Sequence, residues 1–341
     1  MSLIKKFIKK NKICVSDVIS DLEKFKEAKI LIIGDLIIDR YTYCNAIGKT
    51  AKTPTLSVKK INSEEFFGGS SLFLANILGL GAKCELITSV GNDYGLKFLR
   101  SRNLINIKYI INKKKPTTVK ERFIVDGYKL LQVDVVDNAD VDKKTEKKIF
   151  NLFKKKIINY NTVLLSDSRH GLFTKDLIKK ISVYCKKNKK KIIVDTQVSN
   201  VRGNLENYRK VADVISVNDN EARYFLRDWE SKNKIIFIKI LKALTAKTLF
   251  YKMGVNGVMA KNVNKNFYFP SIPVNVLDPI GSGDAFLSSA SLCDNLKVKF
   301  PNNILISSCC AALSCSYMGT KPIKILDLKN FILKLFKDLN V

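Results

Sequence analysis

Apolar residues fall along this chain in short unbroken runs separated by amphipathic stretches, the pattern of buried parallel strands alternating with helices. AKILIIGD (28–35) is one such run, ending in Gly-Asp where a strand opens onto a loop. After FGGSS (67–71), LFLANILGLG has helical spacing and CELITSV reads as a strand. From residue 141 the alternation is regular. KKTEKKIFNLFKKKIINY predicts a helix, TVLLSD a strand, TKDLIKKISVYCKKN a helix, and KKIIVDT and VADVISVN strands. NEARYFL and KIIFIKILKAL predict helices and KTLFYKMG a strand, with two helices at about 302–317 and 326–339 closing the chain. The expectation is an α/β fold, a doubly wound and mostly parallel sheet with helices on both faces. Residues 1–28 read as an N-terminal helical extension and 29–341 as the α/β domain. Two segments break the alternation, 40–66 and 117–136. In the second, TTVKERFIV and YKLLQVDVV flank Asp126-Gly127, a two-residue hairpin signal. Together they predict a small antiparallel lid.

Composition narrows the classes. At 341 residues and 46% hydrophobic, the chain can bury a large core. No apolar run approaches the ~20 residues that span a bilayer. The basic start, MSLIKKFIKKNKICVSDVIS, lacks the apolar centre of a signal peptide. The expectation is a cytoplasmic protein without a membrane partner. The formal charge of +29 raises nucleic-acid binding as an alternative, but 51 of the 60 basic residues are lysine, whereas base readout favours arginine. KKFIKKNK (5–12) and KKNKKK (186–191) read as solvated faces, so no nucleic-acid partner is expected, while a basic surface draws in anionic substrates. Eight cysteines without a CxxC pair, and His170 as the one histidine, argue against zinc and against a disulfide framework.

Candidate chemistry concentrates in VLDPIGSGDAFL (276–287). Pro279 stops a strand, Gly281 and Gly283 let the backbone turn around Ser282, and an apolar helix follows. A helix start presents free N–H groups and a partial positive charge, which suits a phosphate. Asp284 places a carboxylate at the same point, where it can face the hydroxyl that attacks that phosphate. An aspartate near pKa ~3.9 and a water-like hydroxyl near ~15.7 differ by about 16 kcal/mol, so Asp284 cannot deprotonate the alcohol beforehand. It can orient the hydroxyl and take the proton late, as bonding to a loose phosphoryl centre develops. Other strands end in Asp35, Asp167, Asp195 and Asn218, at the sheet edge where α/β proteins bind ligands. Each of these could instead cap a helix, and Asn218 with Glu221 fits a capping box as well as a metal site. The pattern points to phosphoryl transfer to an alcohol.

In these residues the chain resembles the ribokinase/PfkB carbohydrate kinase superfamily, from about residue 20 to 322. D-x-x-G-x-G-D stands as Asp278–Asp284, FGGSS matches the sugar-binding Gly-Gly segment, SVNDNEA the N-x-x-E motif, and KMGVNG (252–257) the nucleotide-side glycine motif. GDLIIDRY (34–41), LSDSRHG and MGT (318–320) are most similar to heptose-phosphate kinases. The resemblance implies a ribokinase-like fold using ATP and Mg2+. It implies Asp284 as the base, Gly281, Ser282 and Gly283 as the anion hole, and Asp35, Asp39, Gly68, Gly69 and Asp167 at the sugar. Lys120 and Arg122 would lie near a sugar phosphate, on what could otherwise be an exposed lid face. Asn218, Lys252, Gly254, Gly257, Asp278 and Ser308 would face the nucleotide, with Asn218 and Glu221 at the metal. A homodimer through the lid is a further implication. The chain departs from the pattern at Leu72 and Ser308, where asparagines stand, at His170 and Gln197, where lysines stand, and at Ala51-Lys52 in place of Pro-Glu. The expectation is a transfer apparatus kept and an acceptor pocket rewritten, with a sugar- or nucleotide-binding pseudokinase as the alternative. Without H-x-G-H, no nucleotidylyl transfer is expected.

Overall fold

The apolar runs do become strands. The computed structural model describes residues 2–102, 104–197, 205–263 and 265–341. In chain order the strands are β1 (Lys29–Gly34), β2 (Leu36–Lys49), β3 (Leu56–Gly69), β4 (Lys83–Gly91), β5 (Ile107–Asn112), β6 (Thr118–Val125) and β7 (Tyr128–Val135). They continue with β8 (Thr162–Asp167), β9 (Lys191–Thr196), β10 (Val214–Asn218), β11 (Thr248–Lys252), β12 (Val258–Asn262) and β13 (Lys265–Phe269). The helices are α1 (Leu3–Lys10), α2 (Val15–Glu23), α3 (Ser70–Gly79), α4 (Tyr94–Ser101), α5 (Lys143–Lys156) and α6 (Lys175–Lys187). After them come α7 (Asp219–Leu226), α8 (Asn233–Leu244), α9 (Ser282–Asn295), α10 (Phe300–Cys315) and α11 (Ile325–Leu339).

Nine strands form one sheet in the order β13-β12-β11-β10-β9-β8-β1-β4-β5. It is parallel except where β12 and β13 add an antiparallel edge. Alternate residues of β1 face opposite ways. Ile30 and Ile32 join the core beneath α2, α3, α9, α10 and α11, while Leu31 and Ile33 join the core beneath α5, α6 and α8. Both faces are covered, as a continuous apolar strand requires. α1 buries Ile4, Phe7 and Ile8, with the Phe7 ring edge-on to Phe269 of β13 at 4.9 Å. The charged N-terminal stretch thus packs its apolar side against the end of the edge strand. No helix among the described residues is long and apolar enough to cross a membrane.

The second sheet has the order β3-β2-β6-β7. Its β6–β7 hairpin turns on Asp126 (φ 48°) and Gly127 (φ 87°), the positive pair that a two-residue turn demands. Two expectations need correction. The lid is mixed rather than antiparallel, because β2 and β6 pair parallel. Both strands leave the large sheet near the ends of its own parallel strands, β2 directly after β1 and β6 after β5, so they set out in one direction. The other correction concerns residues 276–279, which are no strand. The amides of Leu277 and Asp278 donate to the Cys315 carbonyl at 2.8 and 3.2 Å, so the chain reaches α9 from a loop braced on the end of α10.

Candidate active site

Gly281 caps α9 with φ 82°, a left-handed conformation that glycine takes without strain. No side chain caps the helix, so the first-turn amides of Gly283 and Asp284 are left without a cap, while the Ser282 amide donates to the Pro279 carbonyl at 3.3 Å. Crowding also holds position 281 to glycine: a Cβ there would lie 2.9 Å from Cδ2 of Leu72. Leu72, the residue that replaces the family's asparagine, is buried and forms part of the wall behind the turn.

Around Asp284 the sheet edge gathers further charge. Asp195 is the next-to-last residue of β9, Lys252 ends β11, and Glu221 stands in the first turn of α7. Lys252 Nζ lies 3.8 Å from Asp195 Oδ1, and 3.0 Å from where a Cβ on Gly283 would sit. The ammonium therefore hangs over the glycine turn. Burial pushes the Asp284 carboxyl well above the usual carboxylate range; Asp195, Asp39 and Glu221 push the same way and Lys252 opposes them. Burial likewise raises Glu221 to about 7, with Asp195 adding to it against Lys252. Asp195 too is raised by burial against Lys252. Asp195 was legible as one strand-end acid among several, yet it is a central member of this cluster. Asn218 and Glu221 form a complete capping box: Glu221 N donates to Asn218 Oδ1 at 2.8 Å, and Asn218 N to Glu221 Oε2 at 2.7 Å. Asn218's oxygen is occupied in the cap, and Glu221 keeps its second oxygen.

The sugar-side residues also converge, though several are engaged with one another. Arg122 Nη1 donates to Asp39 Oδ1 at 2.5 Å, and Lys120 lies opposite Asp39 in the β2–β6 register. A methyl on Gly68 would overlap the Asp39 carboxylate, and one on Gly69 would come 2.7 Å from the Asp35 carbonyl, so the Gly-Gly pair lets β3 close on this strand. Asp35 is buried. Its oxygens accept the amides of Ser168 at 3.0 Å, His170 at 3.4 Å and Leu172 at 3.3 Å. Burial raises it to about 7, Asp167 adding to the effect and the His170 and Leu172 amides opposing it. Asp167 accepts the Tyr208 hydroxyl at 3.0 Å and the Arg169 amide at 3.0 Å. Both acids thus shape the 167–172 loop. On its rim, Nε and Nη1 of Arg169 and Nε2 of His170 are buried without a hydrogen-bond partner.

The nucleotide-side expectations divide. Gly254 and Gly257 flank a short turn directly after Lys252. Ser308 is half-buried on α10, seven residues before Cys315 and so roughly 10 Å along the helix from the end that braces the turn. Asp278 is engaged within the protein. Its carboxylate is fully buried, accepting Tyr41 Oη at 2.7 Å, Lys129 Nζ at 2.6 Å and the Ile280 amide at 3.0 Å. Lys129, on the lid strand β7, escaped sequence reasoning because no local pattern links it to a residue 149 positions away.

The pattern described as pfkB family carbohydrate kinase matches residues 27–325. Among curated proteins, the chain is 25% identical over 319 residues to the bifunctional protein HldE of Sulfurimonas denitrificans, covering 91% of this chain and 65% of that protein. It is 29% identical over 268 residues to HldE of a Nitratiruptor species, covering 76% of this chain and 55% of that protein. The chain therefore spans between about half and two thirds of these relatives. Among solved structures, a putative ribokinase from Agrobacterium tumefaciens superposes with a TM-score of 0.75 at 17% identity, covering 91% of this chain and 99% of that one. Phosphofructokinase-2 from Escherichia coli in complex with potassium gives 0.72 at 14% identity, covering 90% and 99%. Those two likenesses establish the fold.

Proposed function

The chain belongs to the pfkB family of carbohydrate kinases, and on that premise we propose that it transfers the γ-phosphoryl group of ATP to a hydroxyl of a sugar phosphate, with a heptose 7-phosphate as first candidate. The observation that carries this is the placement of Asp284 in the first turn of α9, beside the open amides and within the field of Asp195, Glu221, Lys252 and Asp39. The amides of 281–284 would hold charge on the transferring group. Lys252, above Gly283, adds a cation on the same side. Burial, with Asp195, Asp39 and Glu221 adding to it against Lys252, raises the proton affinity of Asp284, which suits a group that takes the alcohol's proton as transfer proceeds.

Magnesium belongs to this reading. Asp195 and the second oxygen of Glu221 are hard oxygen donors, and Lys252 is the cation the structure sets against them. Among the described residues no His, Cys, Asp or Glu group forms a metal cage. Magnesium, which keeps water and takes phosphate oxygens, does not need one. When bound it would neutralise charge on the β- and γ-phosphates.

The acceptor's own phosphate is supported by the cationic rim. His170 is pushed down to about 4 by burial and by the nearby charges of Lys120, Lys115 and Arg169. Arg122, by contrast, is committed to Asp39. The grip would then pass from the expected Lys120–Arg122 pair to Lys120 with Arg169 and His170. The likeness to heptose-phosphate kinases and the matches with HldE favour a heptose. A homodimer through the lid is part of the same proposal; β7 leaves Tyr128, Leu130, Leu131 and Val133 exposed.

The test is ADP formation with heptose, hexose and pentose phosphates, wild type beside Asp284→Asn. Turnover with the preferred acceptor should fall by roughly 10²–10⁴-fold in the variant while nucleotide binding persists. Equal turnover would remove Asp284 from the mechanism. A nucleotide-binding wild type that consumes no ATP with any acceptor would favour the pseudokinase.

A further inference from the structure

Asp278 belongs to the turn that becomes the anion hole, yet two of its three hydrogen-bond donors come from the lid. Tyr41 reaches it from β2 and Lys129 from β7, at 2.7 and 2.6 Å, and the third donor is the amide of Ile280 in the turn itself. Two lid cations lie near the Tyr41 ring, with the Arg122 guanidinium 5.5 Å and the Lys129 ammonium 5.6 Å from its centroid. Lys129 pairs with Ile124 in the β6–β7 register and turns inward with that buried residue, although its own side chain is still 35% exposed. It lies two residues beyond the tight Asp126-Gly127 turn, which fixes where β7 begins. No other ammonium or guanidinium among the described residues makes an ion pair with Asp278.

We propose that Lys129 is a positioning residue for phosphoryl transfer, whose ammonium clamps Asp278 and so makes the geometry of the anion-hole turn depend on the lid being seated. The clamp rests on the reading of 281–284 as the phosphate-holding turn. Asp278 Oδ1 receives both Lys129 and the Ile280 amide, so one oxygen joins the lid to the backbone that enters Gly281. Burial works to raise the Asp278 carboxyl, but Lys129, the Ile280 amide and Tyr41 outweigh it and hold the group below the usual carboxylate range, an anion under the turn. Without the ammonium, that buried anion keeps only two neutral donors and must draw water or shift. Either response moves Ile280 and the amides behind it. With the lid seated, the lid and the anion-hole turn are therefore held as one unit.

The experiment compares wild type with Lys129→Met, Lys129→Arg and Lys129→Ala, each first checked for a cooperative melt. Amide hydrogen exchange across 279–284 should quicken about tenfold in Lys129→Met with the remainder of α9 unchanged, and Lys129→Arg should stay near wild type. In steady state, Lys129→Met should lose roughly 10- to 100-fold in kcat with KM for ATP within threefold. Added propylammonium should recover part of the kcat of Lys129→Ala, which a loss of folding would not allow. Unchanged exchange at 279–284 together with kcat within twofold of wild type overturns the clamp. Failure of the underlying mechanism looks different: Asp284→Asn would then turn over normally, while the exchange signature of Lys129→Met remained.

Discussion

At the scale of single residues, the site is built by mutual constraint. Gly281 must be glycine both for its backbone and for the space that Leu72 fills, so the departure at position 72 trades a polar group at the turn for apolar packing. His170 shows the same economy in electrostatics. Its Nδ1 meets Asn138 Oδ1 at 2.8 Å, its Nε2 is buried without a partner, and Lys120, Lys115 and Arg169 surround it. The folded state holds the imidazole neutral down to about 4, against an ordinary value of 6.5. Below pH 6.5 the unfolded chain therefore takes up a proton that the folded chain refuses. The stability this neutral histidine permits is present above pH 6.5 and is lost as pH falls toward 4. Asp35, raised to about 7, works in the opposite sense, since its proton is kept by the folded state across the same window. Replacing His170 with Gln removes the first effect and leaves the second. The urea midpoint of His170→Gln, measured relative to wild type, should then shift in the variant's favour between pH 7.5 and 5. Parallel curves for the two proteins would mean that the imidazole is solvated in the native state.

Elements carry the site by their ends rather than their lengths. β9, β10 and β11 run parallel and finish side by side, delivering Asp195, Asn218 and Lys252 to one edge, while α7 and α9 begin there and bring Glu221 and Asp284. α7 is short, eight residues, so its start matters in proportion. The reciprocal bonds between Asn218 and Glu221 satisfy two backbone donors and fix the rotamer of a carboxylate in the charge cluster. Asn218→Ala should cost about 1 kcal/mol of stability, within the ~0.5–2 kcal/mol seen when N-caps are removed, and Asn218→Ser should recover most of it. Urea unfolding of the two variants measures this. A serine variant no more stable than the alanine one would take the cap out of the account and leave Asn218 to ligand binding.

Across the whole molecule, what was legible follows from range. Strands buried on both faces write themselves as unbroken apolar runs, so β1, β8, β9 and β10 could be read directly. The Asp126-Gly127 hairpin could be read because its chemistry is local. The parallel pairing of β2 with β6 and the meeting of Lys129 with Asp278 could not, since each depends on where distant segments leave the large sheet. The edge strands β12 and β13 were missed for a related reason: their burial is partial, and a helix from the other end of the chain packs on Phe269 of β13. That helix, α1, carries most of one of the two lysine runs read as solvated faces. Its inner face buries Ile4, Phe7 and Ile8 in the main core, while its lysines stay mostly exposed. Fully burying a side chain of that size is worth about 1.5–3 kcal/mol, an upper figure because unfolded chains already bury some surface. Deleting residues 2–12 should therefore remove about 5 kcal/mol and uncover the β13 edge together with Phe269. The shortened protein should unfold at clearly lower urea and self-associate with rising concentration, as an exposed edge strand predicts. Turnover per folded molecule should hold, because α1 supplies no side chain to the Asp284 cluster. Light scattering alongside urea titration separates the two effects, and an unchanged midpoint would show that the sheet edge is sealed by something other than α1.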